Sequence, residues 1–222
     1  YKDLDFDVIF HLAALARIQP SFEDPVSYFK SNVLGTVQVC ELARRCNAKI
    51  VYAASSSAYG GPKLNPYAFA KYTGEEILAM YSKLYNISTV CARFFNVYGD
   101  KQPTEGTYAT LIGIFERQCS SGEKLTITGN GEQRRDFTHV SDIVDGLVKV
   151  ANHSKNNLFH LGRGVNYSIN ELAAMFQYQN IKYVPTRKGE GEVTLADYEE
   201  TFLELGWKAK YNLEDYIKNI MK

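Results

Sequence analysis

The sequence predicts an α/β protein: a doubly wound parallel sheet with a smaller C-terminal lobe. Three observations carry this. Apolar runs of strand length recur at 7–14, 49–54 and 88–95. Amphipathic segments of helical length separate them, at 32–46 and 67–85. From Gly99 onward this alternation gives way to helices and short strands in no regular order. Strands joined by long helical connections make parallel crossovers rather than hairpins.

Each element has its own signal. Asp7-Val-Ile-Phe-His-Leu-Ala-Ala14 reads as a short buried strand. Asn32 to Cys46 places Val33, Val37 and Cys40 at helical spacing. Lys49 to Ala54 is a second strand. Pro66 lacks an N–H and has a fixed φ, which suits a helix start, so a helix is expected from about Tyr67 to Tyr85. Ser88 to Phe95 is a third strand. Beyond Gly99, helices are expected at Leu111–Ser121, Val140–Asn152, Ser168–Phe176 and Tyr211–Met221, a short strand at Lys124–Thr128 and a turn at Gly129-Asn-Gly131. Ser168 is the expected N-cap of its helix, with Glu171 completing a capping box.

Composition excludes several function classes. The 222 residues allow one large domain or a domain with a small lobe. With 25 basic and 25 acidic residues the net charge is zero, and no basic stripe marks a nucleic-acid surface. The apolar runs are too short to span a membrane, and no leader peptide is read. The cysteines Cys40, Cys46, Cys91 and Cys119 have no metal-site spacing, so no metal is expected. Cys40 and Cys91 lie in apolar segments and read as buried thiols, which suits a reducing, cytoplasmic compartment.

Ser55 ends the second strand, and Tyr67 and Lys71 form a YxxxK pair at the start of the next helix. Positions i and i+4 share a helix face, so the lysine is expected beside the phenol. An unperturbed tyrosine, with a pKa of about 10, is a poor base at neutral pH. A nearby cation and a hydroxyl donor can lower it into a useful range.

YxxxK alone arises often by chance. Here it stands in order with His11-Leu-Ala-Ala14, Asn32-Val-Leu-Gly-Thr36, Ser55-Ser-Ser-Ala-Tyr-Gly60, Arg93-Phe-Phe-Asn-Val-Tyr-Gly99, Arg135-Asp-Phe137, Arg187-Lys-Gly-Glu190 and Thr194-Leu-Ala-Asp197. On these segments the chain resembles the extended short-chain dehydrogenase/reductases, specifically the NAD-dependent nucleotide-sugar epimerases and dehydratases. The resemblance implies a Rossmann-like fold, NAD as cofactor and a UDP-sugar or related nucleotide sugar as substrate. It implies that residues 1–98 form the C-terminal part of the NAD-binding domain. Residues 99–222 would form mainly a nucleotide-sugar-binding lobe, with segments returning to the first domain. It also implies a homodimer built on the helices at about Asn32–Cys46 and Tyr67–Tyr85.

The resemblance assigns roles residue by residue. Tyr67 takes the proton of the sugar 4-hydroxyl, Lys71 lowers its pKa and bonds the nicotinamide ribose, and Ser55 relays the proton. Leu12, Ala13, Ala14, Asn32, Ala53 and Phe94 line the cofactor with Tyr67 and Lys71. Ser55, Ser56, Asn96, Thr110, Leu111, Phe115, Arg135, Arg187 and Thr194 contact the substrate, the arginines at its diphosphate and Phe115 at its base. Arg134 reads instead as a surface ion-pair residue. Dehydratases of the family carry an acid after the catalytic Ser/Thr, whereas Ser56 and Ser57 have no pKa suited to elimination. This favours epimerisation at carbon 4. Thr194 aligns with a gatekeeper that is small where an N-acetyl group is admitted, so UDP-GlcNAc/UDP-GalNAc is expected alongside UDP-Glc/UDP-Gal. Other readings are a dehydratase or 4-ketoreductase of the same superfamily, or a non-catalytic nucleotide-sugar-binding protein.

The chain departs from the family pattern in two places. It begins just before the His-Leu-Ala-Ala strand, without the glycine-rich turn that holds the cofactor pyrophosphate in the family. Taken literally it would bind NAD poorly; the alternative is that residues belonging to the natural chain are left out of this sequence. The stretch Gly60-Gly-Pro-Lys-Leu-Asn-Pro66 is also shorter than in relatives.

Overall fold

The computed structural model describes residues 6–153 and 158–222. β1 (Val8–His11) leads through a loop to two short helices, α1 (Ile18–Glu23) and α2 (Pro25–Phe29). A π-helical turn at Lys30–Leu34 joins α2 to α3 (Gly35–Cys46), so the chain is helical from Pro25 rather than from Asn32. Asp24 starts this stretch by accepting the Ser27 N–H at 3.0 Å. β2 (Lys49–Ser55), a 3₁₀ turn at Ser56–Gly60, α4 (Pro66–Tyr85) and β3 (Thr89–Phe94) complete the alternating half.

The second half holds β4 (Asn96–Tyr98), α5 (Leu111–Ser120), β5 (Leu125–Thr128), β6 (Arg134–His139) and α6 (Val140–Asn152). It continues with β7 (Leu158–Leu161), β8 (Asn166–Ser168), α7 (Ile169–Met175), β9 (Ile181–Val184), α8 (Glu199–Leu205) and α9 (Leu213–Ile220). Ser168 caps α7 in the expected capping box with Glu171.

The main sheet is parallel throughout, in the order β1-β2-β3-β7. Successive β2 side chains point to opposite faces. Ile50, Tyr52 and Ala54 pack with Cys40 and Ala43 of α3 and Leu78 and Tyr81 of α4. Val51 packs with Val90, Ala92 and the α6 residues Ile143, Leu147 and Val150, together with Trp207. Helices therefore cover both faces, as a doubly wound sheet requires. β1 differs from its expected burial: it is an edge strand, and Phe10 is 44% exposed.

A separate core gathers Ile112 and Phe115 of α5, Leu125 and Ile127 of β5, Leu172 of α7 and Leu213 and Ile217 of α9. β6 lies between β4, to which it is parallel, and β8, to which it is antiparallel. Asp136 on β6 is fully buried and accepts the N–H groups of Arg163 at 3.0 Å, Gly164 at 2.9 Å and Ala196 at 3.1 Å. Those bonds tie the β7–β8 turn and the segment before α8 to one strand.

Candidate active site

The carboxyl ends of β1, β2 and β3 open into a cleft of about 850 Å³, walled opposite by residues of 106–114, Arg135 and residues of 187–194. Strand ends are where open parallel sheets place their ligands. Ser55, the last residue of β2, accepts from the Ser57 N–H at 3.2 Å and lies 2.9 Å from the Ser57 hydroxyl. Asn65 fixes the start of α4 by accepting the Ala68 N–H at 2.7 Å, with Pro66 in the first turn. Tyr67 thereby enters the cleft, and its hydroxyl donates to Ser55 Oγ at 3.2 Å. The amide of Asn65 also donates to the Gly189 carbonyl at 2.9 Å, linking α4 to the opposite wall.

Lys71 lies one turn further along α4 and is 3% exposed. Its ammonium sits 4.2 Å from the centre of the Tyr52 ring, and the Tyr52 hydroxyl donates to the Lys71 carbonyl at 3.3 Å. Burial pulls Lys71 down to about 8, partly offset by the Glu75 carboxylate. Glu75 is itself paired with Arg93 at 2.5 Å. Tyr67 is only half-buried, yet its phenol is enclosed enough that burial pushes it above the ordinary tyrosine value. The Ser55 hydrogen bond and the charge of Arg17 pull it back. His11 stays neutral, held near 4 by burial and the Lys71 charge. Its Nε2 lies 2.9 Å from the Thr36 hydroxyl.

Of the residues expected around the cofactor, Leu12, Ala14, Ala53 and Phe94 line the cleft with Tyr67 and Lys71. A buried ammonium that makes no hydrogen bond among the described residues, beside small alanines at strand ends, fits the nicotinamide-ribose end of a dinucleotide. Ala13 is exposed and lies outside the cleft lining. Asn32 is buried and works behind the lining. Its amide accepts the Leu15 N–H and donates to the Leu15 carbonyl, both at 2.9 Å, and so shapes the loop after β1.

On the substrate side, Ser56, Asn96, Thr110, Leu111, Arg135, Arg187 and Thr194 all line the cleft. Phe115 does not. It is fully buried in the smaller core, edge-on to Phe176 at 5.7 Å, while Ile114 of the same helix faces the cleft. Thr110 uses its hydroxyl to accept the Gly113 N–H at 3.0 Å and to donate to Gln102 at 2.7 Å. Arg134 pairs with Glu171 at 2.9 Å, as a surface ion-pair residue does. Arg135 is anchored on the Glu192 carbonyl at 3.1 Å. Glu190 lies 3.9 Å from both Arg135 and Arg187, and it is the one carboxylate among the cleft-lining residues described. Thr194, 9% exposed, is held against β6 twice. Its N–H donates to the Arg134 carbonyl at 3.0 Å, and its hydroxyl accepts the Asp136 N–H at 3.4 Å.

Sequence motifs missed Arg17 and Gln19, which follow β1 and line the cleft. Gln19 donates to the Lys188 carbonyl at 3.0 Å and so bridges to the loop that carries Arg187. They also missed Tyr52, the ring beneath Lys71. A tyrosine inside an apolar strand carries no signal beyond β propensity.

A family model described as the NAD dependent epimerase/dehydratase family matches residues 1–162. A putative UDP-glucose 4-epimerase of Methanocaldococcus jannaschii is 33% identical, over 98% of this chain and 76% of that protein. The crystal structure of UDP-glucose 4-epimerase from Thermotoga maritima with UDP-glucose superposes with a TM-score of 0.92 at 27% identity, covering 97% of this chain and 76% of that one. UDP-N-acetylglucosamine 4-epimerase from Methanobrevibacter ruminantium, in complex with UDP-N-acetylmuramic acid, superposes with a TM-score of 0.89 at 27% identity, covering 97% and 75%.

Proposed function

The chain belongs to the NAD-dependent epimerase/dehydratase family, and from that membership we propose that it epimerises carbon 4 of a UDP-sugar through a 4-keto intermediate. The observation that carries this choice is the chemistry around the Ser55–Tyr67 hydrogen bond. Elimination needs an acid beside the sugar ring. Ser56 and Ser57 supply none, and Glu190, the carboxylate of the lining, lies with the arginines.

Tyr67, as phenolate, accepts the proton of the sugar 4-hydroxyl. Ser55, already hydrogen-bonded to Tyr67, contacts the same oxygen and relays that proton. NAD, when bound, would supply the hydride acceptor and then the hydride donor for carbon 4. Lys71, with Leu12, Ala14, Ala53 and Phe94, holds the nicotinamide end. Arg135 and Arg187 bind the diphosphate, for which planar, permanently charged guanidinium groups are suited. About 850 Å³ lies within the range of small-molecule ligand sites.

Thr194 sets the width of the sugar pocket, so both the N-acetylated and the plain hexose pairs are substrates. Incubating the full chain separately with UDP-GlcNAc and UDP-Glc, then separating the epimers, tests this. Both pairs interconvert, and Thr194→Tyr loses the N-acetyl pair while keeping the other. A Thr194→Tyr variant with full N-acetyl activity would sink the pocket assignment.

A homodimer is proposed as well. Phe29, Val33, Leu34, Val37 and Phe69 form one apolar patch across α2, the π-helical turn, α3 and α4, with Phe29 and Phe69 edge-on at 6.1 Å. Leu34 is 52% exposed there. Among the described residues no helix is long and apolar enough to cross a membrane. None of the four cysteines is in a disulfide, and a reducing, cytoplasmic setting is proposed on that basis.

A further inference from the structure

Asn65 lines the cleft with both ends of its side-chain amide in use. Oδ1 accepts the Ala68 N–H at 2.7 Å, and Nδ2 donates to the Gly189 carbonyl at 2.9 Å. These partners fix the amide's orientation, because an N–H faces the oxygen and a carbonyl faces the nitrogen. One bond caps the helix that carries Tyr67. The other reaches 124 residues along the chain, into the loop between Arg187 and Glu190. A cap alone does not call for asparagine, since aspartate and serine cap a helix about as well. Aspartate has no donor for the Gly189 carbonyl, and the serine hydroxyl is too short to serve both partners.

The loop needs such a hold. The Arg187 side chain is 53% exposed, and its contact with Glu190 is a long one at 3.9 Å. The place of its guanidinium therefore depends on its backbone. The first half of the chain grips that backbone from α1 and from the start of α4. Gln19 of α1 donates to the Lys188 carbonyl at 3.0 Å. Gly189 has φ +75°, and a Cβ added there would meet Phe22 of α1 at 2.6 Å and the Leu64 carbonyl at 3.0 Å. The loop thus lies directly against the residue before Asn65. We propose that Asn65 is a positioning residue for diphosphate binding: through Gly189 it sets the place of Arg187 relative to Tyr67. One 5% exposed side chain then fixes both the start of the catalytic helix and the loop on the opposite wall. This rests on the reading of Arg187 as a diphosphate-binding residue.

The test is calorimetric titration of the full chain with UDP, in wild type, Asn65→Ser, Arg187→Ala and the double variant, with urea unfolding of each. Asn65→Ser weakens UDP by about three- to tenfold. Its urea midpoint stays at the wild-type value, because serine keeps the cap. Arg187→Ala weakens UDP by about tenfold. The double variant binds no more weakly than Arg187→Ala, since Asn65 acts through the loop that carries that arginine. Gly189→Ala reaches the same contact from the loop side with the cap untouched. It weakens UDP by a similar factor and decides the question if Asn65→Ser does not fold. Wild-type UDP binding in either variant overturns the proposal. So does an Asn65→Ser loss that adds in full to that of Arg187→Ala, or one matched by a fall in urea midpoint. Asn65 would then act elsewhere, or only hold the fold. The two readings fail separately. An Arg187→Ala variant that binds UDP as tightly as wild type removes the diphosphate role of Arg187 and the proposal with it. A weakened Arg187→Ala with Asn65→Ser unchanged removes only the role of Asn65.

Discussion

Lys71 is a cation 3% exposed, with an aromatic ring as its near neighbour, and its burial has a measurable cost. Its folded pKa is about 8 against an ordinary value of 10.5. Between these values the unfolded chain binds the proton and the folded chain does not, so stability from this group rises as pH climbs through the window. It is fully present above 10.5 and lost below 8. Lys71→Met is therefore expected to be more stable than wild type at pH 7, by up to about 3 kcal/mol, with the gap closing toward pH 10. Urea unfolding of both proteins across that range checks it, and the variant loses turnover. The pairing of Ser55 with Tyr67 was legible in the sequence because both sit at positions fixed by regular elements, a strand end and a capped helix start. Arg17 was not, because the carbonyls of Tyr108 and Ala109 that hold its guanidinium against the facing wall are a long way off in sequence. Phe115 was misplaced because the resemblance assigned it by segment, and one residue along a helix turns a side chain from cleft to core. Leu111, Ile112, Ile114 and Phe115 share one broad apolar face, whose edge at Ile114 meets the cleft while Phe115 enters the smaller core.

α4 shows how an element supports a site beyond its motif. Gly74 stands in its middle, where a glycine normally costs about 1 kcal/mol against alanine. A Cβ there would overlap the Tyr52 hydroxyl. The glycine lets β2 approach closely enough for the Tyr52 ring to lie under the Lys71 ammonium. Gly74→Ala is expected to destabilise by about 1–3 kcal/mol despite its better helix propensity, and to lower kcat by displacing Tyr52. A fall in urea midpoint with a parallel fall in kcat is the expected result; a stabilised, fully active variant would refute the packing role. The main helices and the first parallel strands were readable from length and apolar spacing. β4, β8 and the short α1 and α8 were not. They are three to seven residues long, too short for a period to emerge, and are held by tertiary contacts such as the Asp136 bonds.

At the scale of the molecule, the parallel sheet and the smaller lobe meet along a cleft whose two ends differ in chemistry: hydroxyls and Lys71 at the strand ends, arginines on the facing loops. The alternation of strand and helix made the sheet legible. The facing wall was legible only through motifs, because its residues come from loops. The apolar patch on α2–α4 makes a dimer of twice 25.1 kDa the expected species by light scattering, with Leu34→Glu shifting it to monomer. A wild type that remains monomeric at high concentration would remove the patch as an interface. Hydride that leaves and returns to the same carbon is followed with UDP-glucose deuterated at carbon 4. NMR of the product is expected to show UDP-galactose with the label still on carbon 4. A product that has lost water and carries the label on carbon 6 would mean elimination in place of epimerisation.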